Sequence, residues 1–421
     1  MKTGSTITVL DIGSTITVLD IGSTKVCCCI ASVASDGRFT VLGTGYCICL
    51  GVKAGVITDM RSVERSIAKA VEIAENSANF RVKSVYVSIS GKNIRSRIVS
   101  SAISTRGRVI KNEDIVQLLS MNGSGDEDYD IIHAIPIMFT VDSQMGVKNP
   151  VGMIADKVKM SSNVVSAPKN QINNILACLS RCHLELSGIV LSSYASGLCV
   201  YDEQNSQLNN IVVDFGAGTT SVAFFYDGTF CGSEIIPIGG NNITNDIAFG
   251  LNVSKSSAER IKALHGAAFV SIDDAKDSIF VPVLEDENII DLQQITKNTL
   301  NSILQPRVEE ILNTVKKKID NSIFQKDFAN SSVIITGGGS QLTGIKDFTA
   351  EILGRTVILK HTNNHGIDSK IQVENDFSVA FGMIKFAQMS ELGDSKHNNM
   401  ASSNSKIKIW KKMRNLLKNN W

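Results

Sequence analysis

Residues 18–26 read VLDIGSTKV, an apolar strand pattern that ends at Asp20 and passes directly into a Gly-Ser-Thr turn and a lysine. The same strand and turn occur twice, because GSTITVLDIGST is found as residues 4–15 and again, unchanged, as residues 13–24. A carboxylate at a strand end, followed by glycine and hydroxyl residues, is typical of a turn whose backbone N–H groups face phosphate oxygens. The fold therefore depends on which copy forms the turn.

The sequence that follows each copy distinguishes them. Only the second copy is followed by Lys25 and by an apolar run at residues 26–30 that can continue as a strand. If the first copy formed the turn, the next strand would be broken by its own turn and the hairpin register would be disturbed. We therefore predict that the second copy is the phosphate turn. Residues 1–12 are then a redundant N-terminal extension, frayed or loosely paired at an edge.

Two further glycine turns follow strands later in the chain. Residues 214–220 read DFGAGTT and repeat the design of an acid followed by glycine and hydroxyl residues. Residues 335–340 read ITGGGS, which lies between a strand and a helix and suits close approach by a nucleotide base and ribose. One such turn alone is an ordinary β-turn. Three in this order indicate a nucleotide held between two related domains, with Asp20 and Asp214 holding Mg²⁺ through water.

Composition restricts the class of protein. The 421 residues are 43% hydrophobic and carry 42 basic against 41 acidic side chains, so no strong positive field attracts nucleic acid. The nine cysteines form no C-x-x-C pair, and Cys178, Cys182 and His183 lack a second ligand pair at zinc spacing. These features favour buried thiols in a reducing cytosol.

The apolar runs of the chain are short. The N-terminal stretch is interrupted by Asp11 and Asp20 and has no continuous core of a secretion signal. No run approaches the roughly 20 apolar residues that span a bilayer. The sequence thus predicts a cytoplasmic body that does not cross a membrane.

The order of predicted elements indicates an α/β protein with an insertion. Strands and a helix over the first ~90 residues are interrupted by a block of different character at 93–168, and the second half repeats the strand–turn–strand opening. Residues 245–328 look mostly helical, and residues 389–404 are polar with little periodicity, as in a linker.

These motifs resemble the superfamily of actin, heat-shock chaperones and sugar kinases. Within it, the chain is similar to the FtsA family of bacterial cell-division proteins from about residue 16 onward. The most specific stretches are residues 133–153, which contain PI.FTVD...GV.NP.GM, residues 239–248, and the basic C-terminal segment. The first of these is similar to the distinctive inserted subdomain that this family carries.

The resemblance implies an actin-like two-lobed fold with duplicated RNase H-like domains, an FtsA-type inserted subdomain and a C-terminal amphipathic helix. The implied units are subdomain 1A at 13–92 and 169–205, inserted subdomain 1C at 93–168, subdomain 2A at 206–244 and 329–388, subdomain 2B at 245–328, a linker at 389–404, and the membrane-targeting helix at 405–421.

The resemblance also implies which residues bind ATP and Mg²⁺. These comprise two phosphate turns, an adenosine loop, a further glycine loop and a helix pair near the ribose and base: Asp20, Gly22, Ser23, Thr24, Lys25, Asp214, Gly216, Gly218, Thr219, Thr220, Gly337, Gly338, Gly339, Gly239, Gly240, Asn241, Glu259 and Lys262. The pair Glu259 and Lys262 equally fits an ordinary exposed ion pair one helical turn apart.

The last seventeen residues, 405–421, read SKIKIWKKMRNLLKNNW. Apolar side chains recur there every three to four residues, the opposite face is basic, and no acid is present, as in a helix that lies on anionic lipid. The residues expected to contact the membrane are Ile409, Trp410, Lys411, Lys412, Met413, Arg414, Leu416, Leu417 and Trp421. A target helix for another protein, a nucleic-acid tail and a helix docked on the body are the alternatives. The preceding linker argues against docking, and the balanced charge of the body argues against nucleic acid.

Similarity to FtsA implies a peripheral protein at the cytoplasmic face of the inner membrane, at the division septum. There it would polymerise with itself, tether the FtsZ ring and recruit later divisome proteins, with FtsZ contacting residues 245–328. The sequence places no catalytic base, so at most slow ATPase activity is expected. The alternatives are a type IV pilus assembly ATPase of the same group and a small-molecule kinase of the superfamily.

Overall fold

A computed structural model describes residues 14–34, 38–123, 126–200, 209–269, 277–285, 288–360 and 377–395. The predicted N-terminal extension at residues 1–12 and the predicted membrane helix at 405–421 lie outside the described residues. The described chain forms two five-stranded sheets with flanking helices, a four-stranded inserted sheet and two small hairpins.

The first lobe is built on a five-stranded sheet of order β11-β6-β1-β2-β3. Its elements are β1 (Thr15–Ile21), β2 (Lys25–Val33), β3 (Phe39–Ile48), α1 (Met60–Ala78), β6 (Ser84–Ile89), α3 (Lys169–Arg181), β11 (Glu185–Leu191) and α4 (Ser192–Val200), with a short hairpin of β4 (Val52–Lys53) and β5 (Val56–Ile57). β1 pairs antiparallel with β2, whereas β6 runs parallel to both β1 and β11.

The pairing of β1 with β2 establishes which copy of the repeat forms the hairpin. Ile21 lies opposite Val26 and Asp20 opposite Cys27, so residues 22–24 make the turn. β2 is buried along nearly its whole length because it is covered on both faces, and its three consecutive cysteines are fully buried and form no disulfide. The second copy of the repeat therefore supplies the strand and the turn.

Helix α1 covers one face of this sheet. Its N-cap is Asp59, whose carboxylate accepts a hydrogen bond of 3.2 Å from the Ser62 N–H. Its buried apolar side chains recur at a helical spacing that is visible in the sequence itself: Val63, Ile67, Ala70, Val71 and Ala74. Gly45 of β3 permits close contact, because a β-carbon there would lie 2.2 Å from the carbonyl oxygen of Ala70.

The inserted block folds as a separate sheet of order β7-β10-β8-β9 with one helix. It comprises β7 (Arg95–Val109), α2 (Asn112–Ser120), β8 (Tyr129–Val141), β9 (Gln144–Val147) and β10 (Ile154–Pro168). It has its own apolar cluster, in which Ile115, Leu118 and Met160 are fully buried. β10 leads directly into α3, which returns the chain to the first lobe.

The second lobe repeats the topology of the first, with strand order β14-β13-β12-β17-β18. The strands are β12 (Asn210–Phe215), β13 (Thr220–Tyr226), β14 (Thr229–Ile236), β17 (Ser332–Thr336) and β18 (Val357–Leu359). Helices α5 (Gly240–Gly250), α6 (Lys255–His265) and α7 (Lys297–Asp320) lie between β14 and β17 in the chain, and α8 (Ile345–Leu353) lies between β17 and β18. In both sheets an antiparallel three-strand meander is extended by two parallel strands. This repeat confirms the predicted duplicated, actin-like α/β fold.

The expectation of a mostly helical block at 245–328 needs correction. Between α6 and α7 the chain forms an antiparallel hairpin of β15 (Ser278–Glu285) and β16 (Asn288–Thr296). Pro282 in β15 argues against a strand by local rules. A two-stranded ribbon tolerates it because each strand has one unpaired edge.

The predicted linker also begins too early. Helix α9 (Ser378–Ser395) continues past residue 389 because it is anchored on the first lobe: Phe381 stacks on Phe39 with ring centroids 6.3 Å apart, and Phe386 lies edge-on to Tyr86 at 6.4 Å. The buried Ser390 hydroxyl is satisfied by the carbonyl oxygen of Phe386 at 3.0 Å, so a polar residue there does not end the helix. Among the described residues, no helix is both long and apolar enough to span a bilayer.

Candidate functional site

A cavity of about 690 Å³ lies between the two lobes, at the turns that follow β1, β12 and β17. Its size is that of a site for a molecule such as a nucleotide. The candidate residues that line it are Asp20, Gly22, Ser23, Thr24, Lys25, Asp214, Gly216, Gly218, Thr219, Gly240, Glu259, Lys262, Gly337, Gly338 and Gly339. The fold thus brings together side chains that are more than 300 positions apart in the chain.

The two strand-end turns have the same backbone geometry. In the first turn, the Gly22 N–H donates to the Lys25 carbonyl oxygen at 2.9 Å. A β-carbon on Gly22 would lie 2.9 Å from that oxygen, and one on Gly216 would lie 2.7 Å from the equivalent oxygen of Thr219. Glycine is therefore required at the first position of both turns because the chain folds back tightly on itself there.

Asp20 is a half-buried acid at the base of the cavity. It accepts a hydrogen bond of 2.5 Å from the Ser88 hydroxyl of β6, and Ser88 in turn accepts from the Ile21 N–H at 3.1 Å. Burial raises the pKa of Asp20, although the Ser88 hydrogen bond and the positive charge of Lys25 oppose this effect. The carboxylate is thus held in a fixed orientation by its neighbours.

Asp214 occupies the equivalent position in the second lobe. Burial raises its pKa to about 6, the hydrogen bond from Ser196 opposes that shift, and the negative charge of Asp20 adds to it. Two carboxylates therefore face one buried region and repel each other. A cation placed there would relieve that repulsion, which is the chemical basis for treating this pair as a magnesium site.

Three candidate residues lie behind the cavity wall rather than in its lining. Thr220 is fully buried and its hydroxyl donates to the Ile238 carbonyl oxygen at 2.8 Å. Gly239 contacts the second turn so closely that a β-carbon would lie 2.5 Å from the Gly216 oxygen. The Asn241 N–H donates to the Ala217 oxygen at 2.7 Å. These residues support the turn from behind and tie it to the start of α5.

Glu259 and Lys262 are part of the cavity wall and are not a freely solvated pair. Lys262 has a side chain only 15% exposed, and its ammonium donates to Glu259 at 2.7 Å, to the Thr244 hydroxyl at 2.9 Å and to the Gly240 carbonyl oxygen at 3.2 Å. The Thr244 hydroxyl also donates to Glu259 at 2.5 Å. This network fixes α6 against α5 beside the cavity.

The two strand-end turns touch each other across the cleft. A β-carbon on Gly218 would lie 2.2 Å from the Ser23 hydroxyl oxygen, and the Ser90 and Thr219 hydroxyl oxygens are 3.4 Å apart. Ser23 also accepts from the Gly55 N–H at 3.2 Å. A phosphate group bound between both turns would have to part them, so occupancy and lobe separation are linked by this geometry.

Several lining residues were not predicted from the sequence. They include Gly55, Ser90, Ser192, Gln341, Leu342 and Ser378. Ser90 and Ser192 follow the parallel strands β6 and β11, and ligands of open α/β sheets bind outside the carboxyl ends of such strands. That rule would have found these two serines once the strands were assigned.

The donor set of the protein can hold a magnesium ion only if a bound nucleotide and water supply the remaining metal ligands. Within the described ranges, nowhere do three or more His, Cys, Asp or Glu side chains meet in a cluster that could hold a metal. Asp20 and Asp214 supply hard oxygen ligands, and Mg²⁺ commonly completes its octahedral shell with water and substrate phosphates. The residues present therefore fit a nucleotide-borne cation better than a resident one.

Comparison with known protein families agrees with the fold and the insertion. Residues 211–382 match the family described as "Cell division protein FtsA", and residues 91–166 match the "SHS2 domain inserted in FTSA". The inserted sheet, which begins at Arg95 and ends at Pro168, lies within the second match except for its last two residues.

Individual relatives cover most of the chain. A "Cell division protein FtsA" of Rhizobium meliloti (strain 1021) is 30% identical over 355 residues, which is 84% of this chain and 80% of the relative. A protein of the same name from Escherichia coli (strain K12) is 28% identical over 377 residues, covering 87% of this chain and 89% of the relative.

Solved structures show the same fold at low sequence identity. The PilM-PilN type IV pilus biogenesis complex matches with a TM-score of 0.64 at 13% identity, covering 89% of this chain and 98% of that one. MreB5 of Spiroplasma citri bound to ADP matches with a TM-score of 0.57 at 12% identity, covering 91% and 98%. These two likenesses establish the actin-like fold. Together with the family matches and the identity over most of the chain, they show that this chain belongs to the FtsA family of cell-division proteins.

Proposed function

We propose that the chain binds ATP·Mg between its lobes and acts as a membrane-attached adaptor of the division apparatus. The main support for this proposal is the cavity between the lobes. In it, two glycine turns, one from each lobe, face each other over the paired acids Asp20 and Asp214. The related fold of MreB5 was solved with ADP bound, which supports a nucleotide in this cleft. When bound, the magnesium ion would neutralise phosphate charge.

Nucleotide acts mainly as a conformational ligand in this proposal. The cavity lining contains three carboxylates, of which Asp20 is engaged by Ser88, Asp214 by Ser196, and Glu259 by Lys262. A general base for an attacking water needs a carboxylate free to take a proton. We therefore expect at most slow hydrolysis. A ligand changes the lobe arrangement only through its different affinities for the two states.

Attachment to the membrane is assigned to residues 405–421. Their basic and apolar faces suit the anionic inner leaflet, and the chain would lie peripherally on the cytoplasmic face of the inner membrane at the septum. Family membership supports FtsZ, further copies of this chain and later divisome proteins as partners. Residues 245–328, with their β15–β16 hairpin, are the proposed surface for FtsZ.

Two alternatives remain distinguishable. A type IV pilus assembly role has a specific observation in its favour, the fold match to a PilM-PilN complex, but that match is at 13% identity. A small-molecule kinase would need a substrate cleft with a base and has no use for a lipid-binding segment. The family matches favour the division role over both.

Calorimetric titration with ATP, in the presence and absence of Mg²⁺, tests the nucleotide site. We expect saturable binding that requires Mg²⁺ for full affinity, together with negligible phosphate transfer to sugars, acetate or glycerol. Failure to bind would contradict the nucleotide site, and rapid transfer to a small acceptor would contradict the adaptor role.

The raised pKa of Asp214 predicts a pH dependence. Because burial raises this pKa from 3.8 to about 6, the folded chain keeps a proton that the unfolded chain releases between those values. The free energy of unfolding should therefore fall as pH rises from about 4 to about 6. A cation binds the ionised form, so Mg·ATP affinity should fall below about pH 6, by up to about tenfold per pH unit.

The control for this measurement is Asp214→Asn, titrated by calorimetry over the same pH range. Protonation of the nucleotide itself affects both proteins alike, so the difference between their profiles reports Asp214. We expect the variant to bind more weakly and to lose the additional fall below about pH 6. Identical profiles for the two proteins would show that Asp214 does not engage the cation.

A further inference from the structure

Helix α4 lies where the two lobes and the inserted sheet meet. Its Tyr194, 4% exposed, stacks on Phe230 of β14 with ring centroids 4.6 Å apart and lies edge-on to His133 of β8 at 5.5 Å. Gly197 packs against Phe225 of β13 so closely that a β-carbon would lie 2.3 Å from the ring. The helix therefore contacts the second lobe and the insertion while it belongs to the first lobe.

The same helix touches an acid of the cleft. The hydroxyl of Ser196, which is fully buried, donates to the Ser193 carbonyl oxygen at 3.2 Å. The same hydroxyl is near enough to the Asp214 carboxylate to act as its hydrogen-bond donor and to oppose the rise in the pKa of Asp214. A serine hydroxyl has one hydrogen, so these two acceptors compete for it. A cation that binds the Asp214 carboxylate would make it a weaker acceptor, and the Ser196 hydroxyl would then donate to the Ser193 carbonyl oxygen.

A hydrogen-bonded path continues from α4 into the insertion. The Ser193 hydroxyl lies 2.7 Å from the Ser233 hydroxyl of β14, and the Ser233 N–H donates to the Ser96 hydroxyl of β7 at 3.1 Å. Ser96 then donates to the Asn163 side-chain oxygen of β10 at 2.8 Å. Successive hydrogen bonds join α4 to β14, β14 to β7 and β7 to β10. The path therefore crosses from the first lobe to the second and on to the inserted sheet.

The far end of this path is incompletely satisfied. Within the described chain, the Asn163 side-chain nitrogen and the hydroxyls of Ser162 and Ser166 have no hydrogen-bond partner, although all three side chains are buried. Buried polar groups are nearly always paired, and a half-satisfied network is costly.

We propose that α4 couples nucleotide occupancy of the cleft to the position of the inserted subdomain. The proposal rests on the nucleotide site proposed above and names its regulatory output. Entry of phosphate parts the touching turns at Ser23 and Gly218, Ser196 changes its acceptor, and the Ser193–Ser233 link passes the change to β7 and β10. Any partner that binds the inserted subdomain would then sense the nucleotide state.

Amide hydrogen exchange of the full-length chain, with and without ATP·Mg, tests this coupling. We expect the exchange rates of residues 96–99 and 163–166 to change by about fivefold or more on nucleotide binding, as for an ordinary allosteric coupling. Ser193→Ala and Ser233→Ala each remove the same hydroxyl link, which lies outside the cleft. Both variants should bind nucleotide as the original chain does and lose the exchange response, and the double variant should lose nothing further.

The matched control is Ser66→Ala, which removes another buried serine hydroxyl of the first lobe, one that donates to carbonyl oxygens of Ile48 and Ser62. It should keep the exchange response. Calorimetry on the same samples separates the two proposals. Absence of binding by the original chain would contradict the nucleotide site and the coupling with it. Normal binding without an exchange response in the insertion, or a response that survives in Ser193→Ala, would contradict the coupling alone.

Discussion

Replacing Asp20 by alanine is expected to weaken Mg·ATP binding by about 10- to 100-fold, since a hydrogen bond to a charged group contributes roughly 1.5–3 kcal/mol. The substitution removes one of two carboxylates that can hold the cation, and it leaves the Ser88 hydroxyl without its acceptor at the base of the cavity. Calorimetric titration at neutral pH gives the dissociation constants directly.

The repeated N-terminus provides a control residue in the same local sequence as Asp20. Asp11 occupies the same local sequence as Asp20, within an identical run of twelve residues, but it precedes the strand that pairs with β2. Asp11→Ala should therefore leave nucleotide affinity unchanged. If Asp11→Ala weakened binding and Asp20→Ala did not, the first copy would form the phosphate turn and the assignment would be reversed.

Deletion of residues 405–421 is expected to abolish sedimentation with anionic vesicles. A buried Leu, Ile or Met side chain contributes roughly 1.5–3 kcal/mol, and each basic residue near an anionic surface contributes about 1 kcal/mol. The segment has several of each and no acid to oppose them. A segment of this length is only marginally helical in water, so its folding should be coupled to lipid binding.

Two double variants separate the contributions of charge and of apolar burial to vesicle binding. Lys411→Gln with Lys412→Gln should weaken binding at low salt and make it less dependent on salt concentration. Trp410→Ser with Leu417→Ser should weaken binding at every salt concentration, because these side chains supply the apolar face. The deleted chain should still bind nucleotide. If it sedimented with vesicles as the full chain does, the membrane contact would lie elsewhere.

Much of the architecture could be predicted from the sequence, because hairpin turns and amphipathic helices are determined by residues that are close together in the chain. A strand that ends in Asp-x-Gly forms its hairpin from adjacent residues, and the period of Val63, Ile67 and Ala70 identified the buried face of α1. The repeat of the hairpin in the second half was enough to expect two related sheets.

The features that sequence alone missed depend on contacts between distant segments. The β15–β16 hairpin contains Pro282, a residue that opposes a strand until its unpaired edge is known. The end of α9 depends on where Phe386 packs, and the lining role of Ser90 depends on which strand ends meet at the cleft. The junction at α4 joins Ser193 to Ser233, forty positions along the chain, and no periodic pattern encodes that contact.

In the proposed function, the chain carries FtsZ to the membrane through its last seventeen residues. Co-sedimentation of purified FtsZ with anionic vesicles, with ATP·Mg and either the full-length chain or the chain that ends at residue 404, measures this directly. We predict that FtsZ pellets with the vesicles only when the full-length chain is present. FtsZ that stays in the supernatant with the full-length chain, while the chain itself pellets, would contradict the tether.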